Sequence, residues 1–148
     1  MGLVIFPLLA VYLLLIGEHE RKGRNEESIR TIRIALLVSV ANQMVYPNEL
    51  GDLLEYRVFD QVPLYENRDG SMKPFVYAGA GNSDSENGNM VILAGPETEP
   101  DGKVLVGIND GTLKYLSPAD AGAALEEARA NGKGFERRPR TAAPSRGQ

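Results

Sequence analysis

Residues 3–16 read LVIFPLLAVYLLLI, fourteen apolar residues whose only polar side-chain atom is the Tyr12 hydroxyl. With Met1 and Gly2 the run reaches sixteen, about 24 Å as a helix against a hydrocarbon layer about 30 Å thick. Three readings compete: a short membrane anchor, the apolar part of a signal peptide, or a buried helix of a soluble core. A core helix at a surface shows a polar stripe, and this run has none. A signal peptide wants a basic leader and an A-x-A-like cleavage site before the charges begin at Glu18, and neither is read here. The expectation is an uncleaved membrane anchor helix over residues 1–17. Arg21, Lys22 and Arg24 follow it, and the positive-inside rule then places the rest of the chain in the cytoplasm.

The whole chain has 148 residues, no cysteine, no tryptophan and one histidine, His19. Disulfides and thiolate metal sites are excluded, and a multi-histidine metal site is excluded with them. The net charge of −4 argues against a general nucleic-acid binder. Residues 133–148 carry five basic residues against Glu136, a net +4, which leaves −8 for the remainder. The chain is an acidic body with a basic end.

Beyond the apolar run, residues 17–27 (GEHERKGRNEE) are polar and hold Gly17 and Gly23, which predicts a hinge or a weak solvated turn of a longer helix. His19 reads as a solvated side chain. Residues 26–45 are predicted helical. Asn25 serves as N-cap, and Glu26 and Glu27 favour the first turn. The apolar stripe runs through Ile29, Ile32, Leu36 and Val40, then Leu37, Ala41 and Met44, with Arg30 and Arg33 on the other side. Pro47 stops the helix through its effect on Tyr46. Residues 48–56 form a short helical turn anchored by Leu50, Leu53 and Leu54. Residues 57–73, with turn signals at Asn67 to Gly70, read as an irregular excursion.

Short apolar runs follow at 75–79, 90–94, 103–108 and 112–116. They predict three or four antiparallel strands with one face for the 26–45 helix to cover. Asn109, Asp110 and Gly111 suit a hairpin whose last loop residue has φ > 0. Ser117 caps a second helix with Pro118 at its first position; Ala121, Ala124, Leu125 and Ala128 form its narrow face, and Asn131 and Gly132 end it. The fold class is therefore α+β. The domains are the anchor over 1–17, a globular domain over 18–132 and a disordered basic tail over 133–148.

This order of parts resembles the pilin-like proteins, above all the pseudopilins of bacterial type II secretion systems. IRIALLVSVANQMVYPNELGDLLEY (32–56) is similar to their helix that ends at Tyr-Pro before a Leu-x-Asp-Leu segment. KPFVYAGAG (73–81) resembles their post-helix strand, and VLVGINDGTLKYLSP (104–118) resembles a C-terminal strand–Asp-Gly–strand signature. The resemblance covers residues 29–118. It implies a non-enzymatic structural protein of a secretion or filament system, anchored in the bacterial inner membrane with its globular part in the periplasm. Membrane lipid and other pilin-like subunits, met through the N-terminal helices, are its implied partners. The family's processing signal (a basic leader, a glycine, an aromatic residue and a glutamate at the fifth mature position) meets only Gly2 here, with Leu3 and Pro7 at the other two places. The alternative reading is a membrane-tethered extracytoplasmic binding module that meets its ligand through the loops at 80–103.

No catalytic, cofactor-binding or metal-binding residue is assigned. The loop at 82–89 sets Asn82, Asp84 and Glu86 at alternate positions with Gly88 beyond, a spacing that can wrap Ca²⁺, but an ordinary solvated turn is the preferred reading. Glu97, Glu99 and Asp101 form an acidic loop expected in solvent. Neither a phosphate-binding loop, nor a nucleophile elbow, nor HExxH is present.

Overall fold

Residues 91–94 (VILA) and 104–108 (VLVGI) are apolar at every position, and each is buried. Strands of that kind need cover on both faces, and the computed structural model supplies it. It describes residues 5–85 and 88–136. In chain order these form α1 (Ile5–Gln43), a 3₁₀ turn (Leu50–Tyr56), β1 (Tyr65–Glu66), β2 (Met72–Lys73), β3 (Val76–Tyr77), β4 (Val91–Ala94), β5 (Val104–Ile108), β6 (Leu113–Leu116) and α2 (Pro118–Glu136). The strands make an antiparallel β1–β2 pair and an antiparallel sheet in the order β3-β4-β5-β6.

The sheet lies between the two helices. On one face Ile29, Ile32 and Leu36 of α1 join Leu93 and Leu105 in a core with Tyr46, Leu53, Tyr65 and Phe75. On the other, Ala121, Leu125 and Ala128 of α2 pack with Val91, Ala94, Val104 and Val106. A register irregularity between Val91 and Leu93 puts Ile92 with the α1 core, so that Val91 and Ala94 both face α2. The expectation of one covered face is thus corrected. The unalternating strands carry the reason, since a strand with one wet face alternates.

α1 is one helix of 39 residues, about 58 Å long at 1.5 Å per residue. No hinge interrupts residues 17–27. Gly17 and Gly23 face open space, and neighbouring polar residues are held by the body. Asn25 is not an N-cap but a buried mid-helix residue. The stripe runs as expected through Ile29, Ile32 and Leu36, yet Ala41 and Met44 are exposed. Arg33 turns towards the sheet, where Nη2 donates to the Asn109 carbonyl at 3.2 Å. The helix ends at Gln43, and Met44 adopts φ 69°. In the 3₁₀ turn Leu53 is buried, whereas Leu54 is exposed. The excursion at 57–73 contains the β1–β2 hairpin.

Three turns use one chemistry. Asp69-Gly70, Asp101-Gly102 and Asp110-Gly111 each place glycine at positive φ (85°, 79° and 93°). In each the aspartate accepts from the backbone N–H two residues on, at Ser71, Lys103 and Thr112.

α2 continues through Gly132 to Glu136, so the expected helix end at Asn131 and Gly132, with a tail from 133, is corrected. Gly132 is a contact residue: a Cβ there would lie 1.9 Å from the Ala80 carbonyl oxygen. The helix backbone and the loop at 80–82 touch directly. Asn82 Nδ2 donates to the Ala128 carbonyl at 2.9 Å, and Asn131 Nδ2 donates to Asn82 Oδ1 at 2.6 Å. The rest of the basic end, residues 137–148, lies outside the described residues.

Candidate functional site

α1 leads two different lives along its length. From residue 8 to residue 16 no large apolar side chain finds cover: Leu14 is 70% exposed, Leu8 65%, Leu15 64%, and even Ile16 is 37% exposed. Leaving eight such side chains partly in water costs on the order of 10 kcal/mol. Apolar side chains exposed in an unbroken run of this kind are uncommon on a soluble monomer. Past residue 20 the same helix is docked. Among the described residues no helix is long and apolar enough to cross a membrane. The apolar part ends before Gly17, and the charges start at Glu18.

The docking begins with polar groups, one turn past the apolar end. Arg21 is buried, and its guanidinium contacts the fully buried carboxylate of Glu99. It also donates to Glu18 at 3.0 Å and to the Glu66 carbonyl at 2.9 Å. The Tyr65 hydroxyl donates to the other Glu99 oxygen at 2.5 Å. Burial alone would lower the pKa of Arg21, but its hydrogen bonds to Glu18, Glu99 and Tyr65 outweigh it and raise it. Tyr65 is pushed up to about 12, chiefly by burial and then by Glu99. Glu99, expected in solvent, is therefore the inner half of a buried ion pair. Such a pair is favoured when its remaining polar atoms are also bonded; Tyr65 bonds the second Glu99 oxygen, whereas Arg21 Nε is buried without a partner among the described residues.

Around this pair the other basic residues of the segment are occupied. Arg24 pairs with Glu66 through Nε at 2.8 Å and Nη2 at 3.2 Å. Lys22 Nζ sits 5.2 Å from the centroid of the Tyr115 ring, and the Tyr115 hydroxyl donates to Glu26 at 2.8 Å. Asn25 accepts from the Glu66 N–H at 2.8 Å and donates to the Glu66 carbonyl at 3.0 Å. His19 is exposed, as expected.

The residues singled out in the loops do not converge. The 82–89 loop meets the start of β4 and the C-terminal end of α1: Tyr46 N–H donates to the Asn82 carbonyl at 2.7 Å, and Asn109 Nδ2 donates to the Ser83 carbonyl at 3.0 Å. The 95–103 loop leaves the other end of β4 and meets Arg21. A ligand held by both loops would have to span the sheet. Within the proposed calcium loop, Asn82 is fully buried and its amide is used by Ala128 and Asn131, while Asp84 is exposed. Glu86 lies outside the described residues, and among those described no three His, Asp or Glu side chains are grouped to hold a metal. Of the acidic loop, Glu97 accepts from the Arg68 N–H at 2.8 Å and Asp101 from the Lys103 N–H at 3.0 Å. Asn109 and Asp110 serve the hairpin, with the Tyr46 hydroxyl donating to Asn109 Oδ1 at 2.7 Å.

The clamp of Arg21, Tyr65 and Glu99 has no signature in sequence, since its members lie 34 and 78 residues apart. No family model, curated protein or solved structure matches the chain.

Proposed function

We propose that this chain is a non-enzymatic, pilin-like structural subunit of the pseudopilin type, serving a bacterial type II secretion or filament system. Its N-terminal helix end is held at the inner membrane by lipid and by the corresponding helices of other subunits, and its body faces the periplasm. The observation that carries this reading is the exposure of residues 8–16 on a helix whose later turns are packed on an antiparallel sheet. A rod of this kind is stable only where apolar material surrounds it. The described part of the apolar run, residues 5–16, measures about 18 Å, so neighbouring helices suit it better than a solitary crossing of a layer about 30 Å thick.

Arg21 and Arg24, which oppose export under the positive-inside rule, have a structural reason to be present. Each neutralises a carboxylate of the body, Glu99 and Glu66 respectively. The body pins the helix by that clamp and leaves the apolar end projecting. The test is cysteine crosslinking in bacterial cells. Leu13→Cys should crosslink within the membrane fraction to a second copy or to another pilin-like subunit, whereas Arg30→Cys on the body should crosslink far less. Recovery of the chain in the soluble fraction with no crosslink at position 13 overturns the reading.

A further inference from the structure

At the end of α1 opposite the apolar run, Gln43, Tyr46, Pro47, Asn48, Asp52 and Glu55 line a groove of about 300 Å³. Gln43 is the last residue of α1, and a helix C-terminus favours positive charge. Asp52 and Glu55 add two carboxylates, and among the described residues no cation pairs with either; Glu55 accepts from the neutral groups of Gln43, at 3.3 Å, and Tyr56. Tyr56, also in the wall, has its hydroxyl held above the ordinary value by partial burial and by Glu55 and Asp52. The field in the groove is negative. Exposed apolar side chains belong to the same end, Met44 at 78% and Leu54 at 41%.

The chain itself brings the complementary charge to this place. α2 reaches the loop at 80–82, which is hydrogen-bonded on its other side to Tyr46: Gly81 N–H donates to the Tyr46 carbonyl at 3.2 Å. Lys133 and Arg129 then share a recess of about 210 Å³ with Tyr77, Ala78 and Ala80. The Tyr77 hydroxyl donates to the Pro47 carbonyl at 2.6 Å, and Pro47 is in the wall of the groove. The recess and the groove are therefore neighbours. Four residues beyond Glu136, the last of α2, reach up to about 14 Å, and the residues there are Arg137, Arg138 and Arg140, with Arg146 further on and no acid among them.

We propose that the arginine-rich segment 137–146 docks in the groove at the C-terminal end of α1, with a guanidinium between Asp52 and Glu55. Its planar donors suit two carboxylates, and its stem covers Tyr56 and Leu54. The segment then acts as an internal occupant of the face opposite the apolar run, displaced by salt or by a stronger cationic partner.

The absence of cysteine makes the test direct. In the full chain, Asn48→Cys with Arg138→Cys should close an intramolecular disulfide at least roughly tenfold faster than Arg30→Cys with Arg138→Cys, as a raised effective concentration requires. Near 1 M salt, where the Debye length is about 3 Å, that advantage should disappear. Adding Asp52→Asn and Glu55→Gln to the first pair should remove it at low salt as well. Equal rates for the two pairs, or disulfides formed only between two chains, overturn the proposal. So does an advantage that survives both high salt and loss of the carboxylates.

Discussion

Asn25 holds Glu66 by its backbone, accepting from the N–H at 2.8 Å and donating to the carbonyl at 3.0 Å. A helix side chain here takes the place of a neighbouring strand and completes the edge of β1. The carbonyl has a second donor in Arg21 Nη1 at 2.9 Å, while Asn25 is the partner of the N–H. Losing the acceptor should thus cost more than losing the donor. Asn25→Ala is expected to lose about 1–3 kcal/mol, the range for a buried group left unpaired. Asn25→Asp, which keeps the acceptor, should lose less. Chemical denaturation of both variants checks the order, and equal losses would contradict the assignment.

The Arg21–Glu99 pair predicts a coupled response. Glu99→Ala leaves a buried guanidinium and the Tyr65 hydroxyl short of a partner, and Arg21→Ala leaves a buried carboxylate. Each should cost about 3–5 kcal/mol. Because Glu18 also binds Arg21 at 3.0 Å, the glutamate variant is expected to be the milder. The double variant Arg21→Ala with Glu99→Ala should lose clearly less than the two single losses combined. Additive losses in a double-mutant cycle would show that the pair contributes no coupling.

Two glycines of α2 should respond in opposite directions to alanine. Gly122 meets no atom within 4 Å and is exposed, so Gly122→Ala should stabilise by about 0.5–1 kcal/mol through helix propensity. Gly132→Ala would drive a methyl into the Ala80 carbonyl and should destabilise by about 1–3 kcal/mol or more. Thermal melts of the two variants give the sign directly.

These relationships also show what was legible in the residues. The strands at 91–94 and 104–108, the Asp110-Gly111 hairpin and the cap at Ser117 were readable because apolar runs and turn chemistry are local. The continuity of α1 was not. Residues 17–27 read equally as a hinge or as a turn of a longer helix and Asn25 as an N-cap, and the contacts of Asn25 and Arg21, 41 and 78 residues away, are what hold the continuous helix on the body. Gly132 gave the same trap, since a glycine that ends a helix and one that touches a neighbouring backbone look alike in sequence. Glu99 was placed in solvent because its partner lies on another element. The two-residue strands of β1 and β2 are too short to carry a period. At the candidate site, the apolar run was readable at once, while the clamp beside it appeared only in the fold.

Acid should weaken the body in a defined window. Glu66 is held below its usual pKa by its hydrogen bonds to Arg24, and Asp69 and Asp110 by Ser71 and Thr112. A carboxyl with a depressed folded pKa contributes stability that is complete above its unfolded value, about 4, and is lost as pH falls through the folded value. The midpoint of thermal unfolding should therefore hold between pH 7 and about 5 and fall below about pH 4. Asp69→Asn with Asp110→Asn should flatten that fall. An unchanged acid slope in this variant would exclude the two turns as its source.

The most direct measurement is flotation of the full chain with phospholipid vesicles, compared with a Leu9→Glu, Leu13→Glu variant. Both positions are more than half exposed, so the changes should spare the body. The wild-type chain is expected to float with the vesicles and to self-associate without them, and the variant to remain below as a monomer. A wild-type chain that stays below the vesicles, monomeric and free of detergent, would contradict the claim that residues 8–16 are covered by apolar material outside the chain.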